Sequence, residues 1–307
     1  MYIGVEIGGT KIQIAIGNPI TGEIEKVFSF RVEQEKGAKG ILDLIEKTLN
    51  GLQAPPLAIG VGYGGPVDRV PGIVVTSHQI DGWGGFNLKQ WLQSRYNVPV
   101  IIENDANTAA LAEAHFGAGK GYDKMFYVTL GSGVGGGMVV DGKLYHGSTP
   151  GESEIGLMHM NKSGETLESL CSGWALDSEI RKVVKSLPDE SQLKKIVGAN
   201  QTGEARFLLS AIEQSDESAL KIFSNYVDNL AWGLSHIVHL FNPQIIVLGG
   251  GLSSLGVYLA KSVQEGLQLH LAKVYRPGPK IVIAELRENV VPVGALCLLN
   301  KCVKDEH

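Results

Sequence analysis

Apolar and polar residues along this chain fall into two rhythms. Residues 2–30 carry three apolar runs separated by tight turns, Gly8-Gly9 in the first and Asn18-Pro19-Ile20-Thr21-Gly22 in the second, and predict three strands. Residues 125–146 repeat that plan, with Asp141-Gly142 as the hairpin turn between Met138-Val139-Val140 and Lys143-Leu144-Tyr145. A helical period follows the first set over residues 40–52, and residues 57–61 read as a strand. Residues 98–102 predict another strand, running into an alanine-rich helix that stops at Gly117-Ala118-Gly119. From Tyr226 to Phe241 apolar positions recur at helical spacing, and Asn242-Pro243 ends that helix because proline lacks the donor and clashes with the preceding turn. Residues 245–248 predict a strand opening onto Gly249-Gly250-Gly251, and residues 291–301 a final helix. Strands alternating with helices after a meander predict an α/β sheet covered by helices, built twice. Gly117, Gly119 and Gly121 cluster at the expected break, giving domains of 1–117 and 118–290, with the segment 291–307 packing back on the first.

Composition narrows the function without naming it. A length of 307 residues suits two domains with separate cores. The net charge of -5 offers no basic footprint, so nucleic acid is not an expected partner. Apolar runs are strand-sized, far short of a bilayer span, and no leader pattern precedes Met1-Tyr2, so a cytoplasmic protein is expected. Cys171, Cys297 and Cys302 are too few and too scattered for a disulfide framework or a thiolate metal site, and read as buried thiols.

Two glycine-rich turns bring in chemistry. Glu6-Ile7-Gly8-Gly9-Thr10-Lys11 and Gly131-Ser132-Gly133-Val134-Gly135-Gly136-Gly137 each lie between apolar runs. Without a Cβ in the way, backbone N–H groups can approach an anion, and two such turns one domain apart point to a polyphosphate. Gly8, Gly9, Thr10 and Lys11 would form one cradle; Gly131, Ser132, Gly133 and Gly135 the other, with Ser132 placed for a phosphate or metal-bound water. Gly249, Gly250 and Gly251 follow a buried strand, where backbone can approach a nucleoside, although a plain strand-to-helix turn explains them equally well. Asp105 stands just beyond the carboxyl end of a strand, the edge where ligands collect in open α/β sheets. It could take a proton from an attacking hydroxyl or cap the following helix.

The residues in order, Glu6-Ile7-Gly8-Gly9-Thr10-Lys11, Glu103-Asn104-Asp105-Ala106-Asn107, Gly131 to Gly137, Gly151-Glu152-Ser153-Glu154-Ile155-Gly156 and Leu248-Gly249-Gly250-Gly251, resemble the ROK family of sugar kinases. The resemblance implies duplicated actin-like ATPase (ribonuclease H-like) domains with a nucleotide in the cleft between them. It implies ATP- and Mg²⁺-dependent phosphorylation of a hexose, with glucose at its 6-hydroxyl the leading choice and fructose, mannose, allose or an N-acetylated amino sugar as alternatives. Asp105 then becomes the base and Asn104 a ligand of sugar hydroxyls. Glu154 and Glu168 match sugar-binding glutamates, and a carboxylate suits that task because it accepts two directed hydrogen bonds. Gly65 matches a segment near the sugar, Gln79 a position commonly held by asparagine, and a homodimer is implied. Repressors of the family carry a DNA-binding domain before the first glycine motif, and that reading is set aside because the sequence starts at the motif. A non-catalytic sugar sensor of the same fold stays open.

Two departures stand out. Many members hold a structural zinc through a histidine after Glu-x-Gly and three cysteines, whereas here Leu157 takes the histidine position and residues 161–168 contain no cysteine. Four ligands cannot be assembled, so no structural zinc is expected. His159 lies two residues on and could turn towards the sugar or stay a bland, partly buried histidine. Glu6 replaces the usual aspartate of the first phosphate motif and would orient Mg²⁺ through water.

Overall fold

The computed structural model describes residues 1–77, 80–148 and 150–304. Along the chain run β1 (Tyr2–Ile7), β2 (Lys11–Gly17), β3 (Ile24–Arg31), α1 (Gly37–Asn50), β4 (Ala58–Tyr63), β5 (Val67–Asp68), β6 (Ile73–Val74), α2 (Leu88–Tyr96), β7 (Val100–Asn104) and α3 (Asp105–Phe116). Then follow β8 (Lys124–Leu130), β9 (Val134–Val140), β10 (Lys143–Leu144), α4 (Leu167–Cys171), α5 (Gly173–Val184), α6 (Gln192–Val197), α7 (Leu208–Glu213) and α8 (Glu217–Phe241). Last come β11 (Ile245–Gly249), α9 (Gly256–His270), β12 (Lys280–Ile283), α10 (Val290–Cys297) and α11 (Asn300–Lys304). The chain is α/β with two mixed five-stranded sheets, ordered β3-β2-β1-β4-β7 and β10-β9-β8-β11-β12. It divides into two compact units, the first comprising Met1–Asp123, Gly137–Glu152 and Glu285–His307, the second Lys124–Gly136 and Ser153–Ala284.

In the first unit, the glycine turn between β1 and β2 closes with Gly8 N–H donating to Lys11 O at 2.9 Å. β1 pairs antiparallel with β2 and parallel with β4, which pairs parallel with β7. β4 is buried along its whole length and β1 over residues 3–5, which explains their runs of apolar residues and glycine. One side is covered by α1, whose Ile41, Ile45 and Leu49 recur every four residues and are buried. On the other, α10 lies against β1, β4 and α3. That approach is close: a Cβ on Gly60 would stand 1.9 Å from Ala295 O, and one on Gly294 1.9 Å from Thr108 O. Trp83 is fully buried and stacks edge-on against Tyr63 at 5.4 Å, so it serves the core.

Glu113, on α3, is fully buried. Its carboxylate accepts N–H groups from Ala118, Glu285 and Leu286 at 2.8–3.2 Å, tying the end of α3 to the segment that leads into α10. Desolvation raises its pKa, and the three donors pull back. Replacing Glu113 with Ala leaves those donors unpaired beside a cavity and is expected to cost about 3 kcal/mol. Urea unfolding checks this.

In the second unit, β11 lies between β8 and β12, parallel to both. α8 buries Leu230, Leu234, Ile237 and Val238 along one face and ends at Asn242, which adopts the left-handed conformation before Pro243. Glu204 is fully buried and receives a two-pronged bond from Arg181 at 2.7 and 2.9 Å, which lowers its pKa. Cys171 is buried here, as Cys297 is in the first unit; desolvation pushes both thiols up to about 12. Among the described residues no helix is long and apolar enough to cross a membrane.

Candidate functional site

β7 delivers the Asn104-Asp105 turn to the end of the first sheet, and the local sequence determines how it sits. Asn104 caps α3, its Oδ1 accepting the N–H groups of Ala106 at 2.8 Å and Asn107 at 3.1 Å. Its Nδ2 donates to Gly65 O at 3.2 Å, so Asn104 and Gly65, both marked from the sequence, meet. Capping thus falls mainly on Asn104. Asp105 Oδ1 shares the Ala106 N–H at 2.8 Å, leaving Oδ2 turned towards Gly64.

Gly64 was not singled out from the sequence, yet it is the floor of this corner. Its N–H donates to Ile7 O at 2.8 Å. A Cβ there would lie 3.3 Å from Asp105 Oδ2 and 3.4 Å from Gly8 Cα, so the first glycine turn and the Asp105 carboxyl adjoin. Glu6 enters from β1: its buried Oε2 pairs with Lys11 Nζ at 3.2 Å, and Lys11 Nζ also donates to Gln13 Oε1 at 2.7 Å.

The electrostatics follow from this crowding. Desolvation chiefly, helped by the negative charge of Glu6 and opposed by the hydrogen bonds that Asp105 accepts, pushes the Asp105 pKa from 3.8 to about 6. Desolvation likewise raises Glu6, with the Lys11 charge acting against it. A carboxyl raised to about 6 at a strand end suits proton abstraction.

The second glycine turn lies in the other unit. Gly131 N–H donates to Gly133 O at 3.0 Å, and Gly131 O accepts from Gly173 N–H at 2.7 Å. Glu168, on the first turn of α4, is exposed and accepts the N–H of Val134 at 2.9 Å with one oxygen. Ser132 is exposed. Gly250 has a φ of 79° and packs on Leu130, where a Cβ would meet backbone at 2.6 Å. Gly251 has nothing within 4 Å of its notional Cβ, leaving its face open.

Glu154 precedes a short 3-10 turn over Ile155–Leu157 and follows Ser153, held at a φ of 62°. Holding a serine there costs on the order of 1 kcal/mol. His159 is exposed and bridges Thr166 through backbone. Gln79 lies outside the described residues. Glu6, Gly8, Lys11, Gly65, Asn104 and Asp105 therefore gather in the first unit. Ser132, Glu154, His159, Glu168 and the glycines at 131–135 and 249–251 belong to the second.

A domain model described as the ROK family matches residues 2–302. The chain belongs to the ROK family. It is 30% identical over 311 residues to a glucokinase of Thermotoga maritima, covering 97% of each chain. It is 26% identical over 314 residues to a xylose repressor of Caldicellulosiruptor bescii, covering 97% of this chain and 77% of the repressor. A ROK family glucokinase from Streptomyces griseus, solved in complex with glucose and AMPPNP, superposes with a TM-score of 0.84 at 30% identity, covering 97% of this chain and 98% of the other.

Proposed function

We propose that this protein is an ATP- and Mg²⁺-dependent hexose kinase, with glucose at its 6-hydroxyl the leading substrate. The observation that carries the reading is the Asp105 carboxyl, raised to about 6 and set against Gly64 and the Gly8 turn. In this reading the two five-stranded sheets are the copies of a duplicated actin-like ATPase domain, and the protein works as a soluble, cytoplasmic homodimer. Similarity at 30% identity to glucokinases over nearly the full chain supports the activity.

The sugar hydroxyl gives its proton to Asp105 while its oxygen attacks the terminal phosphorus of the nucleotide, and ADP departs with the electrons of the broken P–O bond. Asn104 and Gly65 hold the turn that aims Asp105, while Glu154, Glu168 and His159 are assigned to sugar recognition, as is Gln79. Lys11 and the backbone at Gly8, Gly9, Thr10 and Gly131 to Gly135 would contact phosphate oxygens, and the open face at Gly251 suits close approach of the nucleoside beside Gly249 and Gly250. The buried Glu6 Oε2, which pairs with Lys11 Nζ at 3.2 Å, would also accept from a water of Mg²⁺, an ion that when bound neutralises charge on the phosphates. No structural zinc is part of this account.

A panel of hexoses, tested for thermal stabilisation with and without a nonhydrolysable ATP analogue, checks the proposal, because true ligands stabilise by mass action. The expected result is one hexose that stabilises further when the analogue is present. Stabilisation by sugar alone, with no ATP turnover, would instead favour a sensor, the role the repressor relative brings into view. The pH dependence is also defined: kcat/KM should fall tenfold per pH unit below about 6, as Asp105 takes up a proton, and stay level just above it.

A further inference from the structure

Behind the Asn104-Asp105 turn, in the first unit, lies a second polar cluster that phosphoryl transfer does not use. Glu103 is buried, and Glu152 nearly so. His146 Nε2 lies 2.8 Å from Glu103 Oε2 and 4.0 Å from Glu152 Oε1. One donor atom from each of the three lies within 4.8 Å of the others. Asn107, only 2% exposed, points its amide into the same space, with Nδ2 at 3.2 Å from both Glu103 Oε1 and Glu152 Oε1. The amide oxygen of Asn107 is buried and has no partner.

Two carboxylates held out of water against one imidazole and one neutral amide are short of positive charge. Among the described residues, no lysine or arginine is paired with either carboxylate. The separations of His146 Nε2 from the two carboxylates, 2.8 and 4.0 Å, bracket the roughly 3–3.4 Å expected between ligand atoms on an ion bound at about 2.1 Å. A cation between the carboxylates would turn the Asn107 amide by half a turn, exchanging its two N–H donations for an approach of its unpartnered oxygen to both carboxylates. That arrangement repels unless a cation stands between them. With it, two carboxylates, an imidazole and an amide oxygen make a four-ligand set of mixed N and O character.

We propose that Glu103, His146, Glu152 and Asn107 form a site for a divalent transition-metal ion of the Mn²⁺ to Zn²⁺ class, separate from the nucleotide's magnesium. Imidazole with carboxylates selects such ions over the purely oxygen-seeking ones. The site also acts on the neighbouring turn: Glu103 Oε1 accepts the Asn104 N–H at 2.9 Å, so an ion that fixes Glu103 fixes the backbone that presents Asp105. Its role there is positioning, through Asn104.

Calorimetric titration of chelator-stripped, tag-free protein with Zn²⁺ and with Mn²⁺ tests the site, with thermal stability as a second readout. One ion per chain is expected with one of these metals, accompanied by a rise in melting temperature, and affinity should drop at least tenfold in both His146→Ala and Glu152→Gln. Asp228→Asn disrupts a carboxylate–histidine pair elsewhere, 2.9 Å from His270, and should bind as the parent does. Glu152→Gln keeps the side-chain volume, and circular dichroism confirms that it folds. No uptake of either metal by the parent, or uptake unchanged in both cluster variants, would overturn the proposal.

Discussion

Replacing Asp105 with Asn is expected to lower turnover by about 10²–10⁴-fold while making the protein more stable at neutral pH. The first effect follows from removing the base that accepts the hydroxyl proton. The second follows from burial. With its pKa raised from 3.8 to about 6, the folded chain keeps a proton at Asp105 that the unfolded chain has already released between those values. The stability that this group adds is full below about 3.8 and is lost as the pH rises through about 6. At pH 8 the native state therefore carries a buried charge that asparagine would not. A two-unit shift converts to about 3 kcal/mol, and because the residue partly reaches solvent a gain on the order of 1–2 kcal/mol is expected. Melting curves at pH 5 and pH 8 separate the cases, since the advantage of the variant should shrink at the lower pH. Sugar affinity should persist, because hydroxyl recognition is shared with other groups. A gain in stability coupled to loss of turnover is what a functional carboxyl, strained by its site, should show, and a mere helix cap should not.

The second large effect is purely structural. Gly60→Ala places a methyl group 1.9 Å from the backbone oxygen of Ala295, and neither β4 nor α10 can yield without disturbing the sheet. A loss of about 3–5 kcal/mol is expected, enough to leave much of the chain unfolded or insoluble. Gly251→Ala is its counterpart. With nothing within 4 Å of that position the melting temperature should stay within a degree or two, while KM for ATP rises if the nucleoside lies against this turn. Chemical denaturation and steady-state kinetics on the two variants distinguish a glycine required by packing from one required by a ligand.

Much of the first sheet was legible because glycine and Asn-Pro turns cut the apolar runs cleanly, and residues 2–30 are the three strands expected. The alanine-rich helix after β7 and the stop at Asn242 were equally visible, since propensity and capping act locally. Residues 168–240 were harder: α4 to α7 are five to twelve residues long, too short for a period to establish itself. The placement of residues 137–152 with Met1–Asp123 depends on contacts that no pattern along the chain displays.

At the site, the motifs drew attention to Asn104 and Asp105 but left open whether Asp105 acts as a base or caps α3. The structure gives Asn104 both cap bonds and Asp105 a share of one. Gly64 escaped notice because a glycine beside Gly65 in a loop carries no periodic signal; its importance comes from lying against Ile7, Gly8 and Asp105 together. Glu113 looked like an ordinary helical glutamate, and its three backbone partners, up to 173 positions away, became visible only in three dimensions. The same holds for His146 and Glu152, whose meeting with Glu103 is a product of the fold.

The most direct test of the central claim is the stoichiometry of phosphoryl transfer. Purified protein with ATP, Mg²⁺ and glucose should form ADP and a sugar monophosphate in a one-to-one ratio, with phosphorus NMR placing the group on the 6-oxygen and Asp105→Asn forming neither at a comparable rate. ADP release that is indifferent to every hexose offered, or sugar phosphate formed equally fast by the Asp105 variant, would contradict the account.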